Sequence, residues 1–480
     1  MLIRNSATYL GAKILPGLLG IATTALLTHL LDPTRYGVYA AALVIMTLVA
    51  NSAFDWLGVS FMRLFESRHD KPRALATFFQ IFALLVIATA ILALAAWATG
   101  YISNGDLPVL LAGMLLAWCY AWYEMVSRIE IASIRPLRYL GMNFARSALM
   151  LIAAGSVAFL FRNPVAVALS TACAMIAASF FGSIRIDLAP RNFDRRLAAE
   201  ILRFGIPIAI GMTLYSAAGN GIRAMVGSLG SPEELGHYTA AFLLVQNALG
   251  LLGAAITSAT YPLAVRAVET GDAETARRQL KANATMLIAV LAPASLGLAL
   301  TAQVFAPIVV GPDFASDVAL LTPWLCAAGF FGSLRNYYFD HAFQLAKRPV
   351  KQIQVTAVSA VIGITLGFTL IPGNPALGGA MASAITMVIS AAYSWWTARR
   401  VYPMPLPWKA IACIAFACVP MSACVLALSG RGILALAAQI AAGAIVYGVS
   451  AIALNVLNLR RLAVELAAGW LSRRSIIGAP

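Results

Sequence analysis

Lys13, Asp55, Glu124, Arg128, Arg146, Arg223, Arg335, Asp340 and His341 all stand inside long apolar runs. A charge in hydrocarbon is costly, so such residues persist where they meet a partner, a water-filled cavity or a ligand. The set is mixed, with a basic excess that suits an anion such as pyrophosphate. Glu124 and Arg128 lie four apart and share one helix face, so they can pair. Asp55 together with Glu124 could carry a coupling proton or sodium ion.

At ~1.5 Å per residue, all but Arg223 fall in one half of the membrane, the half facing the basic loops. Arg128, Arg146, Asp340 and His341 lie close enough to an interface to snorkel, so each is either an interfacial charge or a site residue. Lys13, Asp55, Glu124 and Arg335 are harder to place at an interface and read as cavity-lining. The candidate substrate-binding set is therefore Lys13, Asp55, Glu124, Arg128, Arg335 and His341, with Glu124 the expected partner of Arg335 across the cavity. Trp118, Tyr120, Trp122 and Tyr123 accompany Glu124, and Tyr337 and Tyr338 accompany Arg335. Aromatic rings at this depth either stack on sugars or pack the helix bundle.

No catalytic constellation emerges. A Gly-rich loop ending in Lys and Ser or Thr, as ATP binding would need, is missing from the sequence. His29, His69, His237 and His341 are scattered without metal-ligand spacing. The cysteines Cys119, Cys173, Cys326, Cys413, Cys418 and Cys424 lie in apolar runs without a Cys-x-x-Cys pair, and read as small core residues. No metal, cofactor or enzymatic activity is expected.

The elements that position these residues follow from composition. The chain of 480 residues is 61% hydrophobic and 11% charged, far below the charge of soluble domains. Apolar runs of spanning length recur throughout. Backbone groups in lipid must be satisfied internally, and the alternating pattern of a barrel does not appear. The expected fold is an all-α polytopic membrane protein of about 14 transmembrane helices. The shortest spans, 141–161 and 165–184, are separated only by Arg162, Asn163 and Pro164.

Two stretches repeat. Pro33, Gly37, Tyr39, Ala41 and Ala42 recur as Pro232, Gly236, Tyr238, Ala240 and Ala241, an offset of 199 from position 33 to 232. Arg135-Pro136 recurs as Arg348-Pro349, an offset of 213 from position 135 to 348. On the second offset Arg128 corresponds to His341. Six spans separate the copies of the first motif, so the halves are parallel repeats related by an axis along the membrane normal. The expected division is an N-terminal six-helix lobe (1–190), an amphipathic linker on the membrane surface (191–203), a C-terminal six-helix lobe (204–400), and two extra helices with a basic tail (401–480).

The net charge of +15 belongs to topology rather than to nucleic acid, because no basic aromatic stripe accompanies it. Of the 34 Lys and Arg, all but Arg35, Arg162, Arg223, Arg335 and Arg431 fall on one side of the alternation. That bias places both termini in the cytoplasm. Arg4 and Lys13 precede an apolar run with no clear cleavage site, which reads as an uncleaved first span. The tail 458–475 is basic and amphipathic, suited to an anionic inner leaflet.

Leu31 to Tyr39 resembles the start of the bacterial polysaccharide-flippase family, of the multidrug/oligosaccharidyl-lipid/polysaccharide (MOP) exporter superfamily. Phe193 to Pro207 is similar to its inter-lobe segment, and Leu370 to Ala382 to its late loop-and-helix signature. The resemblance covers nearly the whole chain. It implies two six-helix lobes around a central cavity and alternating access. The implied substrate is a polyprenyl-diphosphate-linked glycan, flipped to the outer leaflet of a bacterial inner membrane for O-antigen or exopolysaccharide synthesis. Implied partners are membrane lipid, a polysaccharide polymerase and a chain-length regulator. Two alternatives remain open: an ion-coupled multidrug/cation antiporter of the same superfamily, and a non-transporting scaffold of a polysaccharide assembly complex.

Overall fold

The computed structural model describes residues 2–65, 70–100, 102–182, 192–428 and 430–456, with side chains from residue 15 onward. The described residues are helical and contain no strand. Six helices form the first half: α1 (Leu2–Leu30), α2 (Pro33–Leu64), α3 (Lys71–Ala98), α4 (Leu107–Ala132), α5 (Pro136–Phe161) and α6 (Pro164–Ser179). Six follow in the second: α7 (Arg195–Leu229), α8 (Pro232–Glu269), α9 (Ala273–Leu300), α10 (Pro312–Leu345), α11 (Pro349–Leu370) and α12 (Pro375–Val401). The chain continues in α13 (Trp408–Ala427) and α14 (Ile433–Ala453). Twelve of these are long and apolar enough to cross a membrane, and α1 and α6 contribute shorter apolar stretches. The expectation of an all-α fold with about fourteen membrane helices is met.

Both sequence repeats are local structures with a physical cause. Pro33 and Pro232 occupy first-turn positions, where no amide donor is needed. Asp32 Oδ1 caps α2 by accepting from the Arg35 amide at 2.8 Å. Ser231 and Glu234 form a capping box on α8. At the second repeat, Ile134 and Lys347 both adopt φ +54°. In each copy the following arginine donates its amide five residues back, Arg135 to Glu130 O at 3.1 Å and Arg348 to Phe343 O at 2.8 Å. One left-handed helix ending is thus built twice at the same offset.

The first repeat also joins the two halves. A β-carbon on Gly37 would overlap the Pro232 carbonyl oxygen, and one on Gly236 would overlap the Pro33 carbonyl oxygen. The starts of α2 and α8 therefore cross reciprocally, backbone against backbone, and only glycine allows that approach. Tyr36 meets the Phe314 ring edge-on at 5.5 Å, and His237 Nε2 lies 3.2 Å from the Asp313 carbonyl. This end of the molecule is sealed.

The linker segment differs from a separate surface helix. Helix α7 begins at Arg195 and runs through 35 residues without a break, with Asp194 capping it through the amides of Arg196 and Leu197. Its first turns bury Leu197, Ala198 and Ile201 against Phe54, Trp56, Phe61 and Phe78 of the first half. The amphipathic pattern arises because one face packs on α2 and α3. The basic tail beyond residue 456 lies outside the described residues.

Candidate functional site: a charged cleft and an apolar groove

Two membrane helices carry a π-helical turn, and each turn is followed by an aspartate. In α2 the turn is Ala50–Phe54, and the Asp55 amide bonds back to Ala50 O. In α10 it is Arg335–Phe339, and the Asp340 amide donates to Arg335 O at 2.9 Å. A π turn adds a residue and re-aims the side chains around it, which is why such turns concentrate at functional positions.

Asp55 faces a narrow cleft of about 10 Å3 between α2, α3 and α4. Arg128 Nη2 contacts Asp55 Oδ1 at 2.7 Å, and Nη1 donates to the Asp55 carbonyl at 2.8 Å. Side chain and backbone of one residue are thus gripped by one guanidinium fork. The fork crosses directly over Gly58, where a β-carbon would overlap it. Glu124, Tyr120 and Met125 complete the lining beside Phe82 and Leu57. Arg146 of α5 and Arg128 both lie within electrostatic range of Glu124. Three sequence candidates, Asp55, Glu124 and Arg128, therefore share one cleft. The four-residue spacing of Glu124 and Arg128 does bring them near each other, but Arg128 spends its fork on Asp55.

Arg335 is placed otherwise than expected. It is 3% exposed and lies inside the second half. Nη1 donates to Ser359 Oγ at 3.0 Å and Ser390 Oγ at 2.7 Å, and Nη2 to Thr356 Oγ1 at 2.9 Å. Its ion-pair partner is Asp340, Nε to Oδ2 3.4 Å, not Glu124. Asp340 is held in turn by Ser394 Oγ at 2.6 Å. Arg335 fastens α10 to α11 and α12. Asp340 and His341 are likewise buried, so neither snorkels. His341 stacks on Tyr261 of α8 with ring centroids 3.9 Å apart. The repeat-equivalent positions Arg128 and His341 thus reach equivalent neighbours, α2 and α8. The Lys13 side chain lies outside the described residues.

The aromatic residues near Glu124 divide by role. Trp118 Nε1 donates to Thr89 Oγ1 at 3.0 Å and Trp122 Nε1 to Ser179 Oγ at 3.2 Å, so both brace the bundle. Tyr123 is fully buried, and Tyr120 lines the cleft.

Sequence reasoning missed a second feature, an apolar groove of about 640 Å3 between α8, α9, α13 and α14. Leu249, Leu252, Pro293, Leu298, Phe305, Val425 and Ile440 line it. Its polar groups are largely spoken for: Tyr447 Oη donates to Ala289 O at 2.7 Å, and Gln439 Nε2 to Leu428 O at 2.7 Å. Along α9 it extends from Ala289 to Thr301, about 18 Å at the helical rise.

A family model described as polysaccharide biosynthesis protein matches residues 26–319, more than half of the chain. No curated protein matches it. Among solved structures, the lipid II flippase MurJ in an inward closed conformation superposes with a TM-score of 0.75 at 12% identity. That match covers 92% of this chain and 98% of that one. An inward-facing multidrug resistance MATE family transporter of the MOP superfamily gives 0.53 at 16% identity, over 83% and 94%. A Vibrio cholerae MATE transporter gives 0.52 at 13% identity, over 83% and 95%. Identities this low speak to the fold alone, which this chain shares with these transporters. The chain is a multi-pass membrane protein that belongs to the polysaccharide biosynthesis protein family.

Proposed function

We propose that the protein moves a polyprenyl-diphosphate-linked oligosaccharide from the cytoplasmic to the outer leaflet of a bacterial inner membrane. The observation that carries this reading is the pairing of a charged cleft with a long apolar groove in one transporter fold. An amphiphile needs both: cations and polar groups for its anionic head, and apolar wall for its tail. A groove of about 640 Å3 lies within the range of pockets that enclose ligands. The Arg128 fork holds Asp55 in the closed cleft; a diphosphate entering as the cleft opens would take that fork over, with Tyr120 and Glu124 beside it for sugar hydroxyls.

Transport by alternating access requires the lobes 1–190 and 204–400 to part at the sealed end. The Gly37–Gly236 crossing and the Tyr36–Phe314 contact are the contacts that must break. Residues 191–203 connect the lobes and 401–480 stand outside the repeat. The loop charges orient the sealed end outward, with both termini cytoplasmic. Cysteines introduced singly at positions 277 and 313 are expected to label from inside and outside respectively. The reverse pattern would overturn the orientation. A polymerase and a chain-length regulator are the natural partners for the exported unit.

A cation antiporter is the rival reading, favoured by the carboxylates Asp55 and Glu124 in the cleft. The close grip of Arg128 on Asp55 weighs against it, because that carboxylate is already neutralised. Deletion of the gene is expected to remove a surface glycan and to leave lipid-linked units stranded in the inner leaflet. Intact surface glycan with increased sensitivity to cationic drugs would select the antiporter.

A further inference from the structure

The seam between α9, α13 and α14 that holds the apolar groove ends in a second pocket, at the opposite end of the molecule from the Gly37–Gly236 seal. This cleft, of about 780 Å3, is lined by Arg278, Lys281, Thr285, Trp408, Lys409 and Asn455 among others. Lys281 and Lys409 are exposed and have no carboxylate partner among the described residues. Glu274, one turn before Arg278, pairs with it at 3.2 Å on the surface. A neighbouring cleft adds Arg277 and Arg399, so the positive field extends past the pocket.

The location fixes what such a field can bind. Trp408 opens an apolar helix and is 64% exposed, the placement of an interfacial anchor at headgroup level. Further along α13, Phe416, Val419 and Leu426 are exposed and offer an apolar wall to lipid chains. Helix α13 starts here without a side-chain cap, which adds partial positive charge from its first turn. A basic pocket between membrane helices, at headgroup depth and above an apolar wall, matches a phosphodiester with two acyl chains.

We propose that this cleft binds the headgroup of an anionic phospholipid between Lys281 and Lys409, with Trp408 at the level of the glycerol. The lipid would brace the two extra helices against α9. The proposal stands apart from the identity of the transported molecule, because it uses none of the cleft residues around Asp55.

Trp408 itself supplies the probe. The full-length protein and its Trp408→Phe variant are reconstituted with brominated phosphatidylglycerol or brominated phosphatidylcholine at equal mole fraction. The difference in fluorescence between the two proteins reports Trp408 alone. That difference signal is expected to be quenched preferentially by phosphatidylglycerol. Lys281→Gln and Lys409→Gln should each lower the preference roughly five-fold, and the double variant should abolish it. Equal quenching by the two lipids in the wild type would overturn the proposal, as would a preference unchanged in the double variant. Millimolar inorganic phosphate should leave the preference intact; its loss would reassign the pocket to a soluble anion.

Discussion

Arg335→Gln is expected to remove most of the folded protein from the membrane. The guanidinium and the Asp340 carboxylate are 4% and 3% exposed, and the substitution strands that carboxylate in a dry interior. Breaking a buried pair from one side costs about 3–5 kcal/mol, a large part of the 5–15 kcal/mol typical of whole domains. Three hydroxyls, of Thr356, Ser359 and Ser390, lose their donor as well. Arg335→Lys keeps the charge but not the fork, so it should retain an intermediate level. Arg335→Gln with Asp340→Asn removes both charges and should recover folding and export together, since neither residue lines the cleft. Membrane protein level and thermal unfolding in detergent measure the effect. Wild-type stability in Arg335→Gln would show that the pair does not hold the second half together.

Arg128→Gln should behave in the opposite way, folding but not exporting. Arg128 and Asp55 are 19% and 24% exposed, so water can reach what the substitution leaves behind and the stability cost is smaller, about 1–3 kcal/mol. Export is expected to fall at least ten-fold, because the fork that a diphosphate would take over from Asp55 is lost. Asp55→Asn combined with Arg128→Gln removes the stranded carboxylate; stability should return while export stays low. The readout is surface glycan in a deletion strain, normalised to the amount of protein in the membrane. Normal export by Arg128→Gln at normal protein level would take the cleft out of the transport path.

The contrast between these arginines shows what the sequence could express. Glu124 and Arg128 were read as a pair because an α-helix sets positions four apart on one face. Arg335 and Asp340 are five apart, a spacing that splays side chains on an α-helix. The π turn at Arg335–Phe339 realigns them, and nothing in the 3.6-residue period announces such a turn. The hydroxyls around Arg335 did leave a trace. Thr356 and Ser359, and Ser390 and Ser394, each share a helix face in otherwise apolar runs. Their convergence on one guanidinium depends on how α10, α11 and α12 pack, which is a tertiary property. The grip of Arg128 on Asp55 is equally non-local; its only sequence trace is Gly58, placed where the fork must cross.

Span positions, the repeat and the loop charges were legible because they follow from local chemistry. Pro33 and Pro232 are visible as helix starts, and Arg135-Pro136 and Arg348-Pro349 as a turn built twice. The reciprocal contact of Gly37 with Gly236 was not, although both glycines stood out. The sequence marks a site of close approach without naming what approaches. The groove between α8, α9, α13 and α14 was invisible for a related reason. Apolar residues facing a groove and apolar residues facing lipid read alike.

The central claim is movement of a lipid-linked oligosaccharide across the bilayer, and reconstitution tests it most directly. Purified protein is placed in proteoliposomes carrying a polyprenyl-diphosphate-linked oligosaccharide, and a membrane-impermeant glycosidase is added outside. Without protein, only the outer-leaflet half of the glycan should be cleaved. With wild-type protein the protected half is expected to become accessible, and with Arg128→Gln it should stay protected. Persistent protection with the wild type, accompanied by uptake of a cationic dye driven by a proton or sodium gradient, would contradict the account.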